Sequence, residues 1–149
     1  MSVIHASACI LGSRGVVVRG ASGSGKSLLV RQLVEAASQR GDFGIWVADD
    51  QVDLTARNGA LMARPVATIA GQAELRFKGV LPTKHAAGTR LDLIVDLKPE
   101  SELERLPETG FATLEGVSLP RICVPQENLE HARSIVEAEL LSSSDQITS

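Results

Sequence analysis

A chain of 149 residues is long enough for one domain with a single core and too short for two of ordinary size. Apolar residues at 44% and charged ones at 22% exclude a disordered chain, and a net charge of −3 speaks against the basic surface of a nucleic-acid binder. No run approaches bilayer-spanning length, and Met1 to His5 has neither a basic region nor an apolar core, so a cytoplasmic protein without a membrane partner is expected.

In chain order, Val3, Ile4, Ala6, Ala8, Cys9 and Ile10 predict a strand over Ser2 to Leu11. Gly12-Ser13-Arg14-Gly15 then turns the chain into a β-branched run, Gly15 to Arg19, so that a hairpin is expected. Next comes Gly20-Ala21-Ser22-Gly23-Ser24-Gly25-Lys26-Ser27, which fits G-x-x-x-x-G-K-[ST]. Leu28, Leu29, Leu33 and Val34 recur at helical spacing behind it, predicting a helix from about Lys26 to Arg40 that stops at Gly41.

The position of that motif gives it chemical meaning. Glycines permit positive φ and an inward turn of backbone N–H groups, and the following helix presents its positive end to the same spot. A polyphosphate such as that of ATP suits the cradle. Lys26 is placed to reach its β- and γ-phosphates, and the Ser27 hydroxyl to enter the shell of a Mg2+ ion.

Phe43 to Asp50 is an apolar run ending in two carboxylates, the pattern of a buried strand that delivers an acid beside the phosphate loop. Adjacent strand residues face opposite ways, so one of Asp49 and Asp50 addresses the site unless the strand has already ended. A carboxylate there either ligands magnesium, usually through water, or accepts the proton of an attacking hydroxyl. Gln51 to Thr55 and Ala60 to Ala63 form a hairpin around Asn58-Gly59.

Arg64 to Arg90 is loop-rich, with a short strand at Ala73 to Phe77. Leu91 to Leu97 is a strand, Pro99 to Leu106 a short helical turn, and Phe111 to Leu114, Val117 to Leu119 and Arg121 to Val124 short strands near the sheet edge. Asn128 to Leu141 carries an apolar face and closes the domain as an amphipathic helix, leaving 142–149 as a polar, disordered tail behind a domain spanning 1–141. Cys9 and Cys123 belong to no C-x-x-C pair and are read as two buried, reduced thiols. On spacing alone His5, His85 and His131 are ordinary histidines, and the pairs Glu74/Arg76 and Glu104/Arg105 are surface charges.

Taken together, Ile4-His5-Ala6-Ser7, GASGSGKS, Val47-Ala48-Asp49-Asp50-Gln51-Val52, Glu74-Leu75-Arg76 and Glu104-Arg105-Leu106 resemble, in the same order, the HPr kinase/phosphorylase family in its short form, which consists of the catalytic domain only. The likeness covers nearly the whole chain, and H-A-S before the loop with V-A-D-D after it is more specific than the loop itself. It implies an α/β fold with a P-loop core in a mixed sheet, like that of phosphoenolpyruvate carboxykinase. It also implies ATP and Mg2+ as cofactors and a seryl residue of the phosphocarrier protein HPr as acceptor, and it leaves a homo-oligomer open. The resemblance makes Lys26 the phosphate-contacting lysine, Ser27 and Glu74 metal-site residues, Asp49 or Asp50 the base, and His5 and Arg105 active-site residues.

Two departures stand out. The family's E-x-R-G-x-G is here Glu74-Leu75-Arg76-Phe77-Lys78-Gly79, with Phe77 in place of a glycine. Its P-V-x-P-G-R-N segment is here Val124-Pro125-Gln126-Glu127-Asn128, without the glycine and the basic residue, which argues against a phosphorylase reaction that needs cations for a second anion. The rival expectations are a nucleotide-binding regulatory module without phosphotransfer and a small-molecule kinase. A GTPase is disfavoured by the absence of N-K-x-D, and a transporter ATPase by the absence of an L-S-G-G-Q-like signature.

Overall fold

The computed structural model describes residues 2–66, 85–106 and 109–148, with only the backbone of 109 and 143–148. Among these residues the strands form two sheets. The larger is built from β2 (Ala6–Leu11), β3 (Arg14–Arg19), β4 (Gly44–Ala48), β8 (Leu93–Lys98), β9 (Thr109–Leu114) and β10 (Val117–Pro125), in the order β4-β2-β3-β8-β10-β9. It is mixed, because β3, β8 and β10 run parallel while the pairs β2/β3, β2/β4 and β9/β10 are antiparallel. The smaller sheet, β1-β5-β6-β7, comprises β1 (Ser2–Ile4), β5 (Val52–Arg57), β6 (Ala60–Pro65) and β7 (Thr89–Arg90) and is antiparallel throughout.

Alternation along the strands sorts the core into two layers. Val16, Val18, Leu93, Val95, Leu97, Ile122 and Val124 point to one side of the large sheet, where helices α1 (Lys26–Gln39) and α3 (Leu129–Thr148) cover them. Val17 and Ile94 point to the other side and pack with Leu54, Leu61 and Ala63 of the small sheet. The helices thus lie on one face and the second sheet on the other.

Sequence and structure part company at several points. Ser2 to Leu11 is not one strand: the chain bends at His5, so β1 pairs with β5 in the small sheet and β2 with β3 and β4 in the large one. Apolar residues continue through the bend, which hides the change of sheet. The closing helix runs to Thr148 and so passes the predicted end at Leu141, because no Gly or Pro in 142–148 stops it. Val117–Pro125 is one nine-residue strand where two short ones are predicted; Pro120 sits inside it, opposite Phe111 on the edge strand β9. The predicted strand Ala73 to Phe77 lies outside the described residues.

Other expectations agree with the structure. Asn58 and Gly59 both take positive φ in the two-residue β5/β6 turn. Helix α1 ends at Arg40 and Gly41 in a Schellman arrangement, with Gly41 N–H on the Ser38 carbonyl at 3.0 Å and Asp42 N–H on that of Ala37 at 2.8 Å. The Asn128 Oδ1 accepts the His131 N–H at 3.0 Å and caps α3. Helix α2 (Glu100–Leu103) fills the predicted helical turn. Cys9 and Cys123 are free and buried; burial pushes the Cys9 thiol up to about 12 and raises that of Cys123.

The two sheets come close together at Gly15. A Cβ on this residue would lie 2.0 Å from the Arg90 carbonyl oxygen, and its N–H donates to Asp92 Oδ2 at 2.9 Å. Backbone cannot swing away as a flexible side chain can. Gly15→Ala is therefore expected to cost about 3 kcal/mol, at the upper end of overpacking penalties, read as a lower urea midpoint at unchanged m-value. A loss below about 0.5 kcal/mol would show that the sheets separate freely here.

Candidate active site

The parallel strands β3, β4 and β8 end at the same edge of the large sheet, and the glycine-rich loop 20–25 leaves β3 there to enter α1. Two glycines in it are closely packed, and at Gly25 the backbone conformation itself favours glycine. A Cβ at Gly20 would come within 2.4 Å of Ser24 Oγ, and Gly25, the residue before α1, sits at φ 106° with Leu129 of α3 3.1 Å from where its Cβ would be. Helix α1 has no side-chain cap, so its first N–H groups open toward the loop.

Lys26 is buried and folds back over the loop, its Nζ donating to the carbonyls of Gly20 at 3.1 Å and Ala21 at 3.4 Å. Among the described residues Ser24 Oγ, which is buried, has no hydrogen-bond partner. An orphaned hydroxyl and a lysine satisfied only by backbone carbonyls suit a loop that takes up an anion, since both have donors to give to one.

Strand β4 ends at Ala48, before the two aspartates, and this decides how they diverge. Asp49 turns toward the loop: its Oδ1 accepts hydrogen bonds from Ser27 Oγ and, at 2.9 Å, from Ser7 Oγ. Asp50 has φ 67° and points elsewhere, with Oδ1 3.9 Å from His5 Nδ1. Both members of that second pair are open to solvent, His5 at 79% and Asp50 at 69%. The bend that separates β1 from β2 is what brings His5 to this edge.

A hydroxyl that donates to a carboxylate keeps its lone pairs for a cation, and the carboxylate keeps its second oxygen. Ser27 and Asp49 thus offer the hard oxygen donors that Mg2+ takes alongside retained waters. Among the described residues no three His, Cys, Asp or Glu side chains cluster as an all-protein metal cage. Ser27, Asp49, Lys26 and the loop come together at one edge, and the His5/Asp50 pair lies beside them. Arg105 is exposed just after α2, with a backbone bond to Glu102 and no side-chain contact to this group among the described residues; Glu74 lies outside them.

Two features here escape sequence reasoning. Ser7 is fully buried, donates to Asp49 and accepts the Asp50 N–H at 3.1 Å. Its sequence signal, a serine two residues beyond a histidine, is no stronger than any polar residue in a strand. The other is an ionic triad on the face of the large sheet opposite α1. Asp96 on β8 is 4% exposed and binds Arg19 through two bonds, at 2.7 and 2.9 Å, and Arg121 at 3.3 Å. Parallel register makes the triad, because Arg19 pairs with Asp96 while Arg121 stands two residues before Cys123, the partner of Asp96 on β10. Arg19 is bonded to Gly20, so the triad anchors the start of the loop.

No protein-family model matches the sequence, and neither does any curated protein. A solved structure, the HPr(Ser) kinase/phosphatase from Coxiella burnetii, matches with a TM-score of 0.70 at 19% sequence identity, over 99% of this chain and 96% of that one. Both sheets and the helix layer therefore fall within a known architecture: the chain has the HPr(Ser) kinase/phosphatase fold.

Proposed function

We propose that the protein is an ATP- and Mg2+-dependent protein serine kinase of the HPr type, acting in the cytoplasm on a seryl residue of the phosphocarrier protein HPr. The observation that carries the reading is the separation of the aspartates: Asp49 on Ser27 at the loop, Asp50 beside His5 in solvent. One acid faces the metal side and the other is open to an incoming hydroxyl.

The division of labour follows from these positions. The loop N–H groups and Lys26, released from the Gly20 and Ala21 carbonyls, hold the phosphates. Ser27 and Asp49 hold magnesium, which when bound supplies neutralisation of the charge on the transferring group. Asp50 takes the proton of the seryl hydroxyl as its oxygen attacks the terminal phosphorus of ATP in line and ADP leaves. His5 lies near enough to orient the Asp50 carboxylate. Glu74 and Arg105 keep the metal-site and active-site roles that the resemblance implies.

The reverse, phosphorylase reaction is left out of the proposal. Where the family segment carries a basic residue, this chain places Glu127, whose carboxylate accepts the Glu100 N–H at 3.0 and 3.2 Å at the start of α2. An acid at that place repels a second anion.

Incubation with labelled ATP, Mg2+ and HPr, followed by mapping of the labelled residue, tests the reading. Label on one serine is expected, with Asp50→Asn lowering turnover at least about a hundredfold as a lost general base and leaving ATP binding near normal. Full turnover by Asp50→Asn would remove the base from Asp50, and ATP binding without any transfer would favour a regulatory module.

A further inference from the structure

We propose that Ser7 is a positioning residue whose single hydroxyl holds the two aspartates in their different orientations, and through Asp49 sets the affinity of the site for its metal. The inference rests on the metal-side role given to Asp49 above.

The geometry is local and complete. Ser7 Oγ–H donates to Asp49 Oδ1 at 2.9 Å, and the same oxygen accepts the Asp50 N–H at 3.1 Å. One residue back, the Ala6 N–H donates to the Asp50 carbonyl at 3.2 Å. The first turn of chain after β4 is thus stitched to the start of β2 at three points, two of them through Ser7. Asp50 needs such a stitch, because φ 67° lies in the left-handed region that a residue with a side chain adopts at some cost. With its N–H tied to Ser7, the Asp50 side chain is turned out toward His5, while Asp49 is turned in toward Ser27.

The chemistry explains why a hydroxyl serves here. Both partners of Ser7 are complementary to one oxygen, a carboxylate that needs a donor and an N–H that needs an acceptor, and a hydroxyl supplies both. Ser7 is fully buried, so water cannot replace it. A carboxylate ligand oriented by a fixed donor binds its metal more tightly than a loose one, and loss of such a partner typically weakens metal affinity about 10- to 100-fold.

The test is a double-mutant cycle on the intact chain with Mn2+ as probe in the presence of ATP, read by electron paramagnetic resonance, alongside ATP binding in EDTA. Ser7→Ala removes one oxygen and should leave the melting transition two-state. It is expected to weaken Mn2+ at least about tenfold with ATP affinity in EDTA unchanged; a general loosening of the fold would lower both. Asp49→Asn should weaken Mn2+ further, and Ser7→Ala/Asp49→Asn no more than Asp49→Asn alone, because Ser7 acts through that carboxylate. Ser7→Thr, which keeps the hydroxyl, should recover most of the affinity. Mn2+ affinity of Ser7→Ala within twofold of the parent, or effects of the two substitutions that multiply, overturns the inference alone. A parent protein that binds no Mn2+ with ATP overturns the metal-side reading of Asp49 and this inference with it.

Discussion

If the protein phosphorylates HPr as proposed, Lys26→Met is expected to lower that phosphotransfer by about a hundred- to a thousandfold, the effect of deleting one preorganised donor to a developing charge. Lys26 is buried against the Gly20 and Ala21 carbonyls, so the substitution also removes two hydrogen bonds from the loop. Each such bond contributes about 1 kcal/mol, and methionine refills the volume of the stem. The two effects can be separated by measurement. Thermal melting without nucleotide should fall by only a few degrees, whereas the rise in melting temperature expected of the parent with ATP and Mg2+ should be lost. Retention of that rise would mean that ATP binds away from the loop, and the kinase reading would fail.

Asp96→Ala is the second large effect, and it acts on the fold before it acts on any chemistry. Asp96 is almost wholly buried between Arg19 and Arg121, whose side chains are 30% and 21% exposed, and Arg121 Nε is itself buried with no partner among the described residues. Removing the carboxylate leaves two guanidinium groups facing each other in a half-buried place. Breaking a buried ionic cluster on one side costs about 3–5 kcal/mol, against a total stability of about 5–15 kcal/mol for a domain. A fall of roughly 10 °C in melting temperature follows for a chain of this size. Asp96→Asn, which keeps the shape and an acceptor, should lose less. Urea unfolding gives the measurement, and because the cluster is shielded, its contribution should change little between low and high salt. A loss under about 1 kcal/mol for Asp96→Ala would show the arginines to be solvated in the folded state. Since Arg19 precedes Gly20, a weakened ATP affinity in the Asp96→Asn variant at temperatures where it is fully folded would show that the triad also sets the position of the loop.

Much of the local structure around the candidate site could be read directly from residues because it depends on local chemistry. The eight residues Gly20 to Ser27 carry their meaning in their own spacing, and the strand before and helix after them follow from β-branched and 3.6-residue patterns. The Asn58-Gly59 turn, the end of α1 at Gly41 and the two buried thiols were legible for the same reason: turn and cap residues act within a few positions, and apolar runs bury whatever lies in them.

What stayed hidden depends on contacts between residues far apart in the chain. The apolar residues from Val3 to Ile10 do not say that β1 and β2 belong to different sheets, since either sheet can bury either side of a strand. The spacing of Asp49 and Asp50 leaves their roles undivided. Ser27 lies 22 residues before Asp49 and Ser7 lies 42 before it, and only the packing of β2, β4 and α1 at one edge turns one acid toward the loop and the other toward His5. In the same way Arg19, Asp96 and Arg121 become a cluster through the parallel register of β3, β8 and β10. The amino-acid sequence by itself determined a glycine-rich loop between a strand and a helix and two acids at the end of a later strand, because those signals are local; the tertiary structure decided which acid faces which partner, because that is a matter of hydrogen bonds across strands that the order of residues does not record.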